Sequence, residues 1–556
     1  MKERWRIVVL LSVAFLVYAN ALLNGFTLDD NIYILSNPMV THFSWRALLE
    51  PTGYNNVFRP LMFGSFALNW AMHGARPLGY HVLDLLLHAA VTLLLYLVLK
   101  KLLESVSQGA MVAWVAALLF AVHPLHTEAV DSISARSELL AMAFLLGAWL
   151  LHVYDRPILA LVAFLLALLS KESAAAFVPL ALVGDYARGK FKSILRYALV
   201  VGIALVYVAV LWKAQGGRFG EKSVTFLDNP LAHLPASLRI LNALRISWKY
   251  VGLHWYPAAL SFDYSYNAIP LYASWRYGLF AALGLLLVLG LLLWALYAGK
   301  REWFLAGAIY ICGFAITSNL LIVTGTIMGE RLAYLPSAGF CLLIALIWLH
   351  LANGYRKAAW AVLVVLLLAF AGRTVARNRD WRNNFTLFSS AVKAVPGSAK
   401  AHSNLGLEYY SFGQIDEADK ELQTALRIYP ELADGIGCRG LIEASRGHNQ
   451  EARALLEKSL SLTTKENPNY DFIAVNLAAV MIKLGQTGDA LQLLDSEIAK
   501  APAYSRTWSN RAVIHYQRGE LAMAHSDAEM AVHLDPSNEQ AENLLRLLSG
   551  PARAGP

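Results

Sequence analysis

Two hydrophobic rhythms divide this chain. Up to residue 372 the apolar residues come in nearly unbroken runs separated by short polar stretches; beyond residue 397 the runs stop and the chain reads as a soluble domain. A membrane-spanning helix takes roughly 20 apolar residues. Eleven segments predict such helices: 7–23, 81–99, 110–122, 138–153, 157–169, 174–184, 194–213, 277–298, 303–323, 335–352 and 357–372. Those at 110–122, 157–169 and 174–184 are short, which predicts tilted or broken helices, or helices longer than their apolar part. The stretch 237–253 carries Arg239, Arg245 and Lys249 and predicts a helix lying in the interface.

The second rhythm repeats. Gly406, Gly440, Ala478 and Ala512 are separated by 34, 38 and 34 residues, and Ala418, Ala452, Ala490 and Ala524 keep the same separations. Pro430, Pro502 and Pro536 close three of the units, and Tyr409 and Trp508 take other signature places. Small residues let two helices approach closely, and a proline stops the second. A period of 34 with these offsets is the tetratricopeptide (TPR) pattern, with four units near 399–432, 433–466, 471–504 and 505–538 and a four-residue insertion near KENPNY. The predicted fold is therefore all-α: a polytopic transmembrane helical bundle over 1–372, a connector over 373–397, and a soluble α-solenoid over 398–548. Such solenoids present a concave surface suited to an extended peptide.

Composition agrees. The chain is 57% hydrophobic and only 15% charged, which excludes an ordinary soluble enzyme. The net charge of +8 needs no nucleic-acid partner, because basic residues between spans follow the positive-inside bias. Lys2, Arg4 and Arg6 place the N-terminus in the cytoplasm, and Lys100, Lys101, Arg156, Arg188, Lys190, Lys192, Arg196, Lys300, Arg301, Arg356 and Lys357 then fall on that side. The loops 24–80, 123–137, 170–173, 214–276 and 324–334 fall outside. An odd span count puts the repeats outside too, against the pull of Arg373, Arg377, Arg379 and Arg382. No A-x-A-like cleavage site follows the first apolar run, so it reads as an uncleaved span. Cys312, Cys341 and Cys438 are isolated and predict neither disulfide nor metal site.

The outer loops hold the chemistry. Asp29 and Asp30 stand side by side just past the first span. Adjacent carboxylates at an interface repel each other and are costly to desolvate, which points to proton transfer, a cation or a substrate; helix capping would need only one. Asn37 and Arg59 follow in the same loop, the latter in YNNVFRPL. The segment HPLHTEAVDSISARSELL brings His123, His126, Glu128, Asp131, Arg136 and Glu138 between two spans. The spacing of His123, His126 and Glu128 matches no standard metal site. Lys171 and Glu172 sit at membrane depth, costly unless paired or bound to a ligand. Glu330, Arg331 and Tyr334 lie in the last outer loop, where the planar fork of an arginine suits a lipid phosphate. His81 and His88 share a helix face, with His81 at the outer mouth; Asp263, in SFDYSYNAIP, predicts interfacial structure. No phosphate loop, G-x-G-x-x-G, HExxH or G-x-S-x-G is present, so a soluble nucleotide donor has no evident seat.

Together, the DD after the first span, FRPL, HPLHTEAVDSISARSELL, SKES, GERLAYLPSAGF and the following repeats resemble the transmembrane-and-TPR-containing (TMTC) family. The resemblance runs along nearly the whole chain and implies a GT-C-type glycosyltransferase related to protein O-mannosyltransferases. It implies an inverting transfer of a sugar, typically mannose, from a polyprenyl-phosphate lipid to Ser or Thr of a protein held by the TPR groove. Asp29 or Asp30 would be the base. Arg331, then Arg59, Arg136 and Lys171, would hold the donor phosphate. His81, His123, His126, Glu128, Glu138, Glu172, Glu330 and Tyr334 would shape the sugar and acceptor site. No cofactor is required by this reading, with a divalent cation left open. The compact chain and its four repeats point to a prokaryotic member in the bacterial cytoplasmic membrane. The alternatives are transfer of sugar to a lipid or glycan, transfer of an oligosaccharide to protein, and a non-catalytic membrane-anchored TPR scaffold.

Overall fold

The computed structural model describes residues 3–44, 48, 57–215, 224–464, 468–500 and 504–549. Lys2, the YNN at 54–56, the KEN at 465–467 and Pro502 lie outside them. Among the described residues all regular structure is helical. The chain divides into two compact units, Met1–Ser398 and Ala399–Pro556.

The first unit contains α1 (Glu3–Leu16), α2 (Pro38–Thr41), α3 (Pro60–His73), α4 (Leu78–Leu102), α5 (Gly109–Val122), α6 (Thr127–Asp131), α7 (Arg136–Val153), α8 (Pro157–Ser170), α9 (Phe177–Arg188), α10 (Ile194–Ala214), α11 (Ala236–Trp255), α12 (Leu279–Tyr297), α13 (Arg301–Phe314), α14 (Tyr334–Gly354), α15 (Arg356–Asn378) and α16 (Asn384–Ala394). Each of the eleven apolar segments contains a helix, but they differ in reach, and the one expected over 303–323 is helical only to Phe314, with turns and bends beyond it. Seven are long and apolar enough to cross a membrane, and an eighth counts if α5 is joined to Pro124–Asp131 across a 55° bend. The remaining three, α8, α9 and α13, have 14, 12 and 14 residues. α11 is not among the crossing helices, in keeping with its charges. The interior is apolar, with Leu95, Val115, Leu119, Trp149, Phe177 and Leu342 buried in one cluster.

Basic residues far apart in sequence meet at one end of the bundle. Glu104 pairs with Lys101 at 2.5 Å and with Arg188 and Lys190 at 3.2 Å. Asp155 pairs with Arg196 at 2.6 Å and Lys192 at 2.7 Å, and Glu3 with Lys100 at 2.8 Å. The region expected to be a connector, 373–397, is not a loose tether. α15 continues to Asn378, and α16 starts under a capping box formed by Asn383 and Thr386.

The second unit pairs α17 (Ala399–Ser411) with α18 (Ile415–Ile428), α19 (Ala433–Ser445) with α20 (Asn449–Leu462), α21 (Pro468–Lys483) with α22 (Thr487–Lys500), and α23 (Ser505–Gln517) with α24 (Leu521–Leu534), before α25 (Glu539–Ser549). The aligned small residues face each other. A Cβ on Gly406 would come within 2.8 Å of Leu422 and 3.2 Å of the Ala418 carbonyl oxygen. A further series, Gly413, Gly447, Gly485 and Gly519, keeps the same repeat separations and takes φ from 73° to 83° in the turns, a region open to glycine at little cost.

Candidate functional site

The adjacent aspartates part company. Leu28, just before them, adopts a left-handed φ of 50°, an uncommon conformation for a residue with a side chain. The turn sends Asp30 inward and leaves Asp29 exposed. Asp30 is fully buried: Oδ2 accepts from the Thr27 amide at 2.9 Å and Oδ1 from the Ser134 amide at 2.8 Å. Its carboxylate thus ties the first polar loop to the second. Burial, with a smaller push from Asp29, raises the Asp30 pKa to about 7 against the pull of its amide donors.

Three cation–carboxylate pairs cluster beside this loop. Arg331 bonds Glu128 through its side chain and through its amide, the latter at 2.9 Å. Lys171 bonds Glu138. Arg59 grips Glu172 with Nη2 at 2.8 Å and Nε at 3.4 Å, while Nη1 reaches Ser137 at 3.4 Å. The pairs feel one another: Glu128, Asp29 and Glu138 all act on the Arg331 guanidinium, and Glu138, Arg59, Glu172 and Arg331 act on Lys171. Asp29, Arg59, Glu128, Glu138, Lys171, Glu172 and Arg331 therefore form one electrostatic cluster drawn from four segments of chain. Arg331 remains 37% exposed and gives only Nη1 of its fork to Glu128. Among the cations it alone combines exposure with unspent donors, the requirement for seizing an anion.

Other expected site residues lie deeper. Arg136 is fully buried, not a phosphate ligand at a surface. Nε bonds Asp84 at 2.6 Å, Nη1 bonds Asn69 at 2.7 Å, and Nη2 bonds the Tyr80 carbonyl at 3.1 Å. Phe66 and Tyr80 cover it at 4.9 and 5.6 Å. The stretch 123–137, expected to be an outer loop, is packed against the bundle, and all of it but Ser134 is buried; most of its polar side chains find partners there, while the Asp131 carboxylate and His126 Nδ1 have no hydrogen-bond partner among the described residues. His123 has both ring nitrogens on the backbone, the His254 carbonyl at 3.2 Å and the Leu125 amide at 3.3 Å. His126 bonds Ser337 at 2.6 Å, and His88 bonds the Tyr334 hydroxyl at 2.8 Å. His81 is buried against the backbone of Asn24 and Gly25 without a well-formed hydrogen bond. Glu330 accepts from the Ser261 amide and the Tyr264 hydroxyl, each at 2.6 Å, and so pins SFDYSYNAIP rather than facing a sugar. Asn37 caps α2 by accepting from the Met39 amide at 3.0 Å. Asp263 bonds Ser265 at 2.8 Å and Ser398.

Two important residues escaped the sequence reading. Asp84 was legible in principle, because an ionisable side chain inside an apolar span is costly and demands a partner. Asn384 was not: its Oδ1 accepts from the Leu28 amide at 3.0 Å across 356 residues, and no local pattern signals that contact.

No family model matches the chain. It is 31% identical over 443 residues to the protein O-mannosyl-transferase F38B6.6 of Caenorhabditis elegans, covering 76% of this chain and 63% of that protein. It is 28% identical over 601 residues to the protein O-mannosyl-transferase TMTC3 of Mus musculus, covering 96% and 64%. It is 29% identical over 477 residues to TMTC4 of Mus musculus, covering 72% and 63%. The chain thus spans a little under two thirds of the length of these relatives. Among solved structures it is similar to MamA of Desulfovibrio magneticus RS-1, at 25% identity and TM-score 0.23, over 27% of this chain and 82% of that one. A second likeness is to YrrB, a TPR protein with an unusual peptide-binding site, at 16% identity and TM-score 0.24, over 35% and 92%.

Proposed function

We propose that this chain, TMTC-like along most of its length, is a multi-pass membrane glycosyltransferase of the GT-C type. It moves a sugar, mannose as the leading choice, from a polyprenyl-phosphate carrier to a Ser or Thr hydroxyl of a protein acceptor, with inversion. The observation that carries the reading is Asp29: an exposed carboxylate on a stapled loop, within electrostatic range of a partly exposed arginine, Arg331. Asp29 takes the hydroxyl proton. The hydroxyl oxygen bonds to the anomeric carbon as the bond from that carbon to the phosphate oxygen breaks. The electron pair leaves on the polyprenyl phosphate, whose growing charge Arg331 meets, with Arg59 and Lys171 adding to the local field. Fixed charges aimed at developing charge are the most effective form of such stabilisation.

Glu128, Glu138 and Glu172 hold the three cations in place, Glu128 and Glu172 with both carboxylate oxygens and Glu138 with one. Tyr334 and the histidines below form the floor. The reaction needs no metal, since the leaving phosphate finds its cations in the protein. The repeats hold the acceptor. The basic end of the bundle faces the cytoplasm of a bacterial cell, and the Asp29 end and the repeats face outward.

Glycopeptides of secreted and envelope proteins test this in wild type, a deletion strain, Asp29→Asn and Asp30→Asn. The reading expects hexose on Ser or Thr to vanish in the deletion and in Asp29→Asn, with the variant still present in the membrane. Hexose that survives Asp29→Asn would remove Asp29 as base. Protein glycosylation identical in wild type and deletion would favour transfer to a lipid or glycan.

A further inference from the structure

The loop carrying Asp29 is fastened by residues from the far end of the same unit. Asn20 Nδ2 donates to the Val375 carbonyl at 2.9 Å, and Asn24 Nδ2 to the Asn378 carbonyl at 3.1 Å. Asn378 answers with Nδ2 to the Val17 carbonyl at 3.0 Å and to Asn20 Oδ1 at 2.8 Å. The Gly25 amide donates to the Arg382 carbonyl at 2.9 Å. The last bond of the series, Leu28 amide to Asn384 Oδ1 at 3.0 Å, falls on a residue with a left-handed φ, the only such residue between Asn24 and Asn37. Asn384 is available for it because its neighbour Asn383 caps α16. Side-chained residues hold such conformations only where surrounding bonds over-determine them. Here the consequence is local: the Leu28 turn is what directs Asp30 into the protein and Asp29 out.

We infer that Asn384 is a positioning residue for Asp29, holding Leu28 in its left-handed turn and so fixing the carboxylate beside Arg331. This rests on the reading of Asp29 as the base. Without the acceptor on residue 384, Leu28 relaxes to an ordinary extended conformation and Asp29 swings from its place, while Arg331 and the donor phosphate site are untouched.

The test uses the full-length protein in detergent, with polyprenyl-phosphate mannose and a serine-containing peptide, and hydrogen exchange across residues 26–31. Asn384→Ala is expected to lower kcat about tenfold with little change in KM for the lipid, and to speed exchange at the Leu28 amide. Asn384→Asp, which keeps a carbonyl-type acceptor, is expected to restore both. Leu28→Gly is expected to recover most of kcat in the Asn384→Ala background, because glycine takes positive φ without help. Unchanged exchange at Leu28 in Asn384→Ala would overturn the positioning role, whatever the activity. A loss of kcat in Asn384→Ala that neither Asn384→Asp nor Leu28→Gly relieves would overturn it as well. If exchange responds as expected but Asp29→Asn keeps wild-type kcat, the base assignment fails and the clamp on Leu28 stands.

Discussion

Both ends of the bundle are rich in ion pairs, but the pairs do different work. At the basic end, Glu104 and Asp155 each hold two or more cations from helix ends and the 189–193 loop, and Asp155 and Lys190 are largely solvent-exposed, at 61% and 62%. Hydrogen bonds from Lys192 and Arg196 lower the Asp155 pKa to about 2, and a bond from Lys101, with help from Lys190 and Arg188, does the same for Glu104. Such contacts are screened by water and salt, and each is worth roughly 0–1 kcal/mol. At the Asp29 end the charges are drawn into the protein. Asp84 and Arg136 are wholly buried, and Lys171 and Glu138 nearly so. A buried pair gains little over apolar packing, yet breaking one partner is costly. The exposed pairs lie in water at little cost, whereas the buried pairs fix the positions of the side chains that make them. Among the described residues, the second end is where an exposed carboxylate, Asp29, carries no side-chain hydrogen bond and acts electrostatically on a partly free guanidinium, that of Arg331.

Breaking that contrast at its sharpest point gives the largest effect. With Asp29 as the proposed base, Asp29→Asn should lower transfer by ~10²–10⁴, with unchanged melting in detergent. Next is the deepest pair. Arg136→Leu strands the Asp84 carboxylate inside the bundle and should destabilise the protein by about 3–5 kcal/mol, read as an earlier thermal transition; the double variant Arg136→Leu/Asp84→Leu should recover much of it. Arg331→Lys keeps the charge but loses the fork. It should raise KM for the lipid donor by about ten- to hundredfold, in line with a hydrogen bond to a charged group worth roughly 1.5–3 kcal/mol.

Asp30 sharpens the contrast through pH. Burial raises its folded-state pKa from 3.8 to about 7. A carboxyl raised on folding favours the fold while neutral. That stability is complete below about pH 4 and is lost as pH rises through about 7. The wild-type melting temperature should therefore carry a downward component between those values, absent in Asp30→Asn; equal slopes would mean that the two amide donors keep Asp30 ionised throughout. At the basic end, Asp155→Asn should shift stability by less than about 1 kcal/mol and only at low ionic strength. A large effect there would erase the distinction between the two ends.

Much of this architecture was written in the sequence. Continuous apolar runs can satisfy the backbone in a bilayer only as helices, so each of the eleven apolar segments forms a helix over at least part of its length. The four-fold recurrence of small residues fixed the helical hairpins, and the turn glycines at 413, 447, 485 and 519 recur with the same separations. Asp29, Arg59, Glu128, Glu138, Lys171, Glu172 and Arg331 were all recognisable as charged residues too costly to keep near a membrane without a purpose. Their roles were not. Asp29 and Asp30 are identical in type and adjacent in sequence, and only the turn at Leu28, held by a side chain 356 positions away, separates the exposed carboxylate from the buried anchor. Arg136 and Arg331 likewise look alike on paper. One meets Asp84, Asn69 and the Tyr80 carbonyl, the other a single glutamate at an open edge. Local sequence sets what each residue is able to do, through its periodicity, propensity and charge. Which of those capacities is used depends on desolvation and partners, and both are supplied by chain that is distant in sequence and near only after folding.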